Sequence, residues 1–321
     1  MKAEIKFPET LQTAIKYFAD EQRAFEFMKR VRWPDGNVTC PRCESDSNSF
    51  VSTRKIWRCN GCKKQFSIRV GTLFEDSPIT FDKWICATWL IANAKNGISS
   101  YEIGRALGVC QKTGWFMLQR IRLAMQQGTV KKMRGIVEAD ETYIGAKARY
   151  MHKHRRTGVG DAGIKKTAVQ GILERTTAKK TSRVWLKVVP NTRRPELYGN
   201  VRKYVVKGST VCTDALMSYD DLHSDYDRKV IDHMVSYANG HVHTNGLENF
   251  WSLLKRAIKG TYVNVEPFHL FRYLDEQAFR FNERKAEDGD KGRFLKAIAG
   301  IIGKQLTWEK LTGADGLPQP A

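Results

Sequence analysis

Two cysteine pairs, Cys40-Pro41-Arg42-Cys43 and Cys59-Asn60-Gly61-Cys62, are separated by fifteen residues. This spacing constrains the chain more than any other feature. Two residues between sulfurs let both thiolates of a pair reach one tetrahedral ion, and two such pairs complete a closed four-sulfur shell. The reading is a structural Zn2+ with no open position for water. The alternative is four unligated buried thiols. Gly61 is read as the residue that permits the tight backbone of its turn. Cys86, Cys110 and Cys212 have no partner at ligand spacing and read as core or partly buried thiols. The chain opens on Met1-Lys2-Ala3-Glu4 with no secretory pattern, so its seven cysteines point to reduced thiols and a cytoplasmic setting. The best apolar run, Trp84 to Ala94, is interrupted by Thr88 and Asn93 and falls short of the roughly 18 residues a membrane helix needs. No membrane partner is expected.

The formal net charge is +20. The excess is spread over both halves, with 23 Lys+Arg against 12 Asp+Glu in residues 1–134 and 31 against 22 in residues 135–321. A polyanion is the natural partner, because each phosphate neutralised by a cationic side chain releases counterions. The Arg and Lys residues around the ribbon (Arg42, Arg54, Lys55, Arg58, Lys63, Lys64) either meet phosphate or keep a small module soluble.

Apolar periodicity predicts one helix over Thr10–Arg32, stopped by Trp33-Pro34-Asp35-Gly36, and another over Phe81–Asn96 with Gly97 as its stop. Ser99 and Glu102 form a capping-box pattern for the next helix, which Gly108 ends. Gln111–Gln127 supplies a fourth. Ser99–Arg122 therefore resembles a helix-turn-helix, with Gln111, Lys112 and Thr113 opening the recognition helix where side chains reach base edges. Trp115, Leu118, Ile121 and Met125 form its packed face. A plain helical hairpin bridging two domains fits the same pattern.

From Gly135 the texture changes to short β-rich runs at Ile136–Ile144, Thr167–Leu173, Val184–Val189, Thr210–Thr213 and Lys229–Ile231. Pro195–Tyr204 reads as a helix between the third and fourth runs. Thr244–Lys259 and Pro267–Asn282 read as helices after the fifth. Lys147–Lys166 reads as an irregular basic loop, and Gly313–Ala321 as a mobile tail. The implied fold class is mixed α/β. Its segments are an N-terminal helical segment (1–36), a zinc ribbon (37–70), a helix-turn-helix region (78–130), an α/β domain (135–285) and a C-terminal helical segment with tail (286–321).

Three acidic residues occupy telling places. Asp140 lies within the first run, Asp214 ends the fourth, and Glu248 lies on the Thr244–Lys259 helix. A carboxylate inside a β-rich segment needs compensation, and two on neighbouring strands with a third on a covering helix would offer hard oxygen ligands to Mg2+ or Mn2+. On that helix Asn245, Glu248, Asn249, Ser252 and Lys255 form a polar stripe opposite Leu247, Phe250, Trp251, Leu254 and Ile258. On periodicity alone, a polar face turned to solvent is the better-supported reading.

The blocks Glu138-Ala139-Asp140-Glu141-Thr142-Tyr143-Ile144-Gly145, Thr213-Asp214 and Asn245-Gly246-Leu247-Glu248-Asn249-Phe250-Trp251-Ser252-Leu253-Leu254-Lys255-Arg256, with Arg32-Trp33-Pro34-Asp35-Gly36 and the first cysteine pair, carry a family resemblance. From Phe7 to about Asn282 the chain resembles bacterial insertion-sequence transposases related to the Merlin superfamily. Their catalytic domain has the ribonuclease-H-like fold of Asp-Asp-Glu transposases and integrases. The resemblance implies that Asp140 and Asp214 are the first two metal ligands and Glu248 the third, with Asn245 as a replacement or supporting ligand. It implies that Lys255 holds phosphate near two catalytic ions. Glu138 would share the strand face of Asp140 and Glu141 would point away. His241 and His243 precede the helix and read as incidental or DNA-touching. The expected partners are double-stranded element ends and target DNA, bound by a homodimer or higher assembly at the nucleoid. Two other readings share many of these features: a catalytically silent zinc-ribbon DNA-binding regulator descended from a transposase, and a structure-specific nuclease of the ribonuclease H type.

Overall fold

A computed structural model describes residues 7–126, 128, 131–145, 166–178, 180–231 and 243–314. The loop read at Lys147–Lys166, all but its last residue, and the last seven residues of the tail lie outside them, as does His241. The chain divides into two units. One comprises Met1–Gln126 with Ala286–Pro318, and the other is centred on Gln127–Lys285.

In the first unit, α1 (Leu11–Phe18) and α2 (Glu21–Arg32) replace the single helix expected over Thr10–Arg32. The break falls where Asp20 adopts an extended conformation and its carboxylate accepts from Arg23 N at 2.9 Å, starting a new helix while Phe18 turns into the core. Three short antiparallel strands follow: β1 (Asn48–Val51), β2 (Ile56–Cys59) and β3 (Gln65–Ser67). Trp57 is their core residue, ringed by Phe25, Trp33, Phe50 and Phe66. Then come α3 (Phe81–Asn93), α4 (Ser100–Leu107) and α5 (Gln111–Ala124). α3 ends three residues early because Ala94 turns extended, and Gly97, at φ +85°, serves the turn after it. Ser99 and Glu102 form the reciprocal capping box, and Gly108 closes α4 at φ +62°. The C-terminal helices α9 (Gly289–Ala299) and α10 (Trp308–Thr312) belong to this unit, with Phe294 of α9 packed on Phe18, Phe27 and Trp89.

The second unit is a five-stranded sheet ordered β6-β5-β4-β7-β8, from β4 (Ile136–Ile144), β5 (Thr167–Glu174), β6 (Arg183–Val189), β7 (Thr210–Asp214) and β8 (Asp227–Ile231). The first three are antiparallel neighbours, and β7 and β8 continue parallel to β4. This is the ribonuclease-H-like arrangement. α6 (Arg194–Tyr204) covers one face, where Leu197 and Val201 meet Val137, Ala139, Ile172 and Val211. α7 (Asn245–Ala257) and α8 (Leu270–Asn282) cover the other, where Leu247, Phe250, Trp251 and Leu254 meet Val169, Leu173 and Val184. Alternation along β4 therefore sends odd-numbered residues to α6 and even-numbered ones to α7.

Candidate zinc and acidic sites

The four cysteines converge. Cys40 and Cys43 lie in a turn before β1; Cys59 ends β2 and Cys62 lies in the turn into β3. Their sulfurs all lie within 4.8 Å of one another, with Cys40–Cys62 at 3.8 Å and Cys43–Cys59 at 3.5 Å. Tetrahedral zinc with Zn–S bonds of about 2.3 Å requires sulfurs about 3.8 Å apart, so the set fits the ion. Backbone N–H groups, chiefly that of Cys62, lower the Cys59 thiol to about 6. At Cys43 the Ser45 N–H favours thiolate, but the neighbouring sulfurs, Cys59 foremost, outweigh it and push the thiol up to about 11. Crowded thiols of this kind await a cation. Gly61, read as permitting the tight backbone of its turn, is not among the residues with positive φ. The positive φ falls one residue after each pair, on Glu44 (59°) and Lys63 (60°). Gly61 instead supplies room, since a Cβ there would stand 3.3 Å from that of Ser45.

Among the other cysteines, Cys86 and Cys212 are buried, but Cys110 is exposed, because it caps the start of α5 rather than facing a core. Of the residues read at that start, Gln111 donates to Ser100 Oγ at 2.9 Å, Thr113 lies 3.1 Å from Cys110 Sγ, and Lys112 is exposed. α4 and α5 meet closely at two glycines: a Cβ on Gly104 would stand 2.9 Å from Val109 O, and one on Gly114 2.8 Å from Ser100 O. Leu118, Ile121 and Met125 are buried and Trp115 is partly so.

Asp140 and Asp214 lie on adjacent parallel strands. The β4–β7 ladder pairs Glu138 with Cys212 and no residue beyond, yet both strands continue. Each aspartate is two residues past that last pair, so both keep its face, the one covered by α7. Ligand sites in open α/β sheets form at such carboxyl ends. Glu248 is exposed on the first turns of α7, and Thr244 Oγ1 donates to it at 3.2 Å. Burial, then the negative charges of Asp214 and Glu248, push the Asp140 carboxyl up to about 6 despite a 2.8 Å hydrogen bond from Trp251 Nε1. The three carboxylates thus feel one another. Among the described residues, however, only the cysteine set brings its donor atoms within 4.8 Å. Asn245 is exposed at the start of α7. Lys255 is exposed two turns beyond Glu248 and lines a cleft with Tyr143, Gly145, Lys166 and Lys259.

Three supports for this face are not visible in sequence spacing. Gly171 is the β5 partner of Asp140, and a Cβ there would stand 2.6 Å from the Trp251 ring. Its missing side chain is what lets the indole lie on the sheet and reach Asp140. Glu138 is fully buried and accepts from Leu247 N at 2.8 Å, an N-terminal cap for α7 supplied from the central strand. Arg175 Nε holds the same carboxylate at 2.6 Å and also reaches His243. A Cβ at Gly246 would stand 2.7 Å from Glu138 Oε2. Glu141 points to the α6 face, where Tyr219 Oη donates to it and Gln170 bonds Tyr219 at 3.2 Å. Burial foremost, with Asp140 and Asp214 adding to it, pushes Glu141 up to about 8.

A ribonuclease-H-like sheet carrying acidic residues at the ends of two parallel strands, together with a four-cysteine ribbon, defines the class: DNA-transposition proteins with a zinc-ribbon front end. Residues 132–282 match the ISXO2-like transposase domain and residues 19–65 the transposase zinc-ribbon domain. The second match begins before the ribbon and takes in α2, whose Phe25 stacks on Trp57. A protein described as an uncharacterized protein in transposable element ISH50, from Halobacterium salinarum, is 28% identical over 274 residues, 81% of this chain and 90% of that protein. An uncharacterized transposase-like protein of Haemophilus influenzae is 35% identical over 101 residues, 31% of this chain and 81% of that protein. The chain belongs to the ISXO2-like insertion-sequence transposases. No helix among the described residues is long and apolar enough to cross a membrane.

Proposed function

We propose that this chain binds the terminal inverted repeats of an insertion sequence and catalyses metal-dependent strand cleavage and strand transfer. One observation carries the reading. Asp140 and Asp214 share a face at the carboxyl ends of adjacent parallel strands, under a helix bearing Glu248, and burial, with the charges of Asp214 and Glu248 adding to it, raises Asp140 to about 6. Buried like charges of this kind call for a divalent cation. Asp140, Asp214 and Glu248 would hold two Mg2+ or Mn2+ ions, with Asn245 as a supporting ligand. Such ions, when bound, supply activation of the attacking oxygen and stabilisation of the leaving one.

The chain's own side chains do the positioning. Trp251 Nε1 fixes one oxygen of Asp140, whose carboxylate also accepts from the Glu141 backbone N–H, and Thr244 steadies Glu248. Lys255 holds a phosphate as a point charge. The first reaction is hydrolysis of a phosphodiester at an element end, freeing a 3′-hydroxyl. The second is attack by that hydroxyl on a target phosphodiester, with displacement of a target 3′-oxygen. Cys40, Cys43, Cys59 and Cys62 hold one structural Zn2+. α4 and α5 act as a helix-turn-helix, with Gln111, Lys112 and Thr113 meeting the DNA. Joining two ends requires at least a dimer on DNA, at the nucleoid.

The test incubates purified protein with labelled element ends, plasmid target and Mg2+ or Mn2+. Metal-dependent end cleavage and joining are expected. End binding with no cleavage under either metal would leave the silent-regulator reading in its place.

A further inference from the structure

The C-terminal segment returns along the whole of α5. Gly300 sits so close to Ala124 O that a Cβ would stand 2.1 Å away. Lys304 Nζ donates to Leu123 O at 2.8 Å, and Arg120 Nε donates to Leu306 O at 3.1 Å. Trp308 then lies edge-on to Trp115 and Phe116, at centroid distances of 6.0 and 5.7 Å. Lys112 Nζ stands 4.7 Å from the Trp308 ring centroid. The segment thus starts at the C-terminal end of α5 and finishes at its first turn.

The segment is anchored on both sides of Trp308. Leu306 and Leu311 are buried on either side of Trp308, and Thr307 caps α10 by accepting from Lys310 N at 3.2 Å. Trp308 nevertheless remains 41% exposed. An anchored, half-exposed indole under a lysine does two things. It restrains a side chain that otherwise has much rotamer freedom to lose, and its π face favours the ammonium without neutralising it. Lys112 forms no ion pair among the described residues, so its full charge stays available to an anion.

We propose that the segment 304–312 is part of the DNA-binding surface, and that Trp308 is a positioning residue that presents Lys112 to a backbone phosphate of duplex DNA. This rests on the reading of α5 as the DNA-contacting helix. It adds that the chain's C-terminal end completes that surface. Lys112 then serves affinity for any duplex, while Gln111 is left to read bases.

The test uses full-length, zinc-loaded protein and two duplexes of equal length, one the element end and one a scrambled sequence, over a range of salt. Trp308→Leu and Lys112→Ala should each weaken both duplexes several-fold and each lower the salt slope by about one. The double variant should bind like either single one, since the two act as a unit. Trp308→Phe keeps a ring under the ammonium and should restore the slope. Lys112→Met, which keeps the packing on Trp308 and removes only charge, should also lower the slope by about one, and this variant decides the matter if Trp308→Leu does not fold. A wild-type slope in Lys112→Met or in folded Trp308→Leu, or additive losses in the double variant, overturns the proposal. If Gln111→Ala also leaves binding and preference unchanged while the wild type binds DNA, the reading of α5 itself falls.

Discussion

The ribbon and the acidic site are both suited to metal, yet they are assembled differently. The ribbon's four sulfurs come from a 23-residue stretch, Cys40 to Cys62, and already stand at ligand spacing. The carboxylates come from Asp140, Asp214 and Glu248, more than a hundred residues apart at the extremes, and stay further from one another. The ribbon's sulfurs crowd by splitting their acidities, with Cys59 lowered to about 6 and Cys43 pushed up to about 11. Carboxylates repel and resist burial, so a sheet holds them near but not together until a cation compensates. One set is close in sequence, and the other is brought together by the sheet.

The largest test of this contrast removes a ribbon ligand. Cys59→Ser should lose zinc and unfold the ribbon, since metal-coupled folding in such modules is worth on the order of 10 kcal/mol. Elemental analysis and proteolysis of the first unit would read it. Stoichiometric zinc in that variant would break the comparison. Chelation of the divalent ions should, by contrast, leave the second unit folded.

Next in size are the acidic residues. Asp140→Ala, Asp214→Ala and Glu248→Ala should each lower strand transfer by at least about a thousandfold, roughly 4 kcal/mol of barrier, with end binding kept in a parallel gel shift. Asn245→Ala should be milder. Wild-type transfer by Glu248→Ala with an inactive Asn245→Ala would move the third ligand to Asn245.

Gly171→Ala should cost roughly 1–3 kcal/mol, because the added methyl meets a rigid indole that cannot move aside without leaving Asp140. Thermal melting would show the loss, and transfer should fall with it. A melting point equal to wild type would mean that α7 shifts freely over the sheet.

The smallest effect concerns pH. Asp140 and Glu141 both lie above their ordinary values, at about 6 and about 8. Below about pH 3 both are protonated, folded or unfolded, and neither biases folding. As pH rises the unfolded chain ionises first, so the metal-free second unit loses stability until pH passes the folded values. Glu141→Gln keeps an acceptor for Tyr219 and removes the carboxyl. Metal-free, it should exceed wild type by about 1–2 kcal/mol at pH 8, the gap closing towards pH 4.5. A gap constant with pH would mean that the gain is one of packing alone.

Much of this molecule was legible in short spacings. The cysteine pairs, the Ser99–Glu102 capping box, the five strands and the two-faced α7 are local or periodic patterns, and each follows from geometry within a turn or a strand. Other features obey local rules but were hidden by overlapping patterns. Asp20 starts a new helix inside an apolar repeat that continues across it, and the ribbon takes left-handed backbone at Glu44, Lys55 and Lys63.

The sequence by itself determined which segments form each element and which residues carry metal-seeking chemistry. Tertiary structure alone decided what lies opposite what. It set Gly171 across from Asp140, sent Glu138 to cap α7 and Glu141 to Tyr219, and brought residues 300–312 back along α5. Those outcomes depend on strand register and on packing between segments 30 to 190 residues apart. A local pattern fixes which face of an element a side chain takes, but the neighbour on that face is chosen by whichever distant segment buries the most apolar surface there.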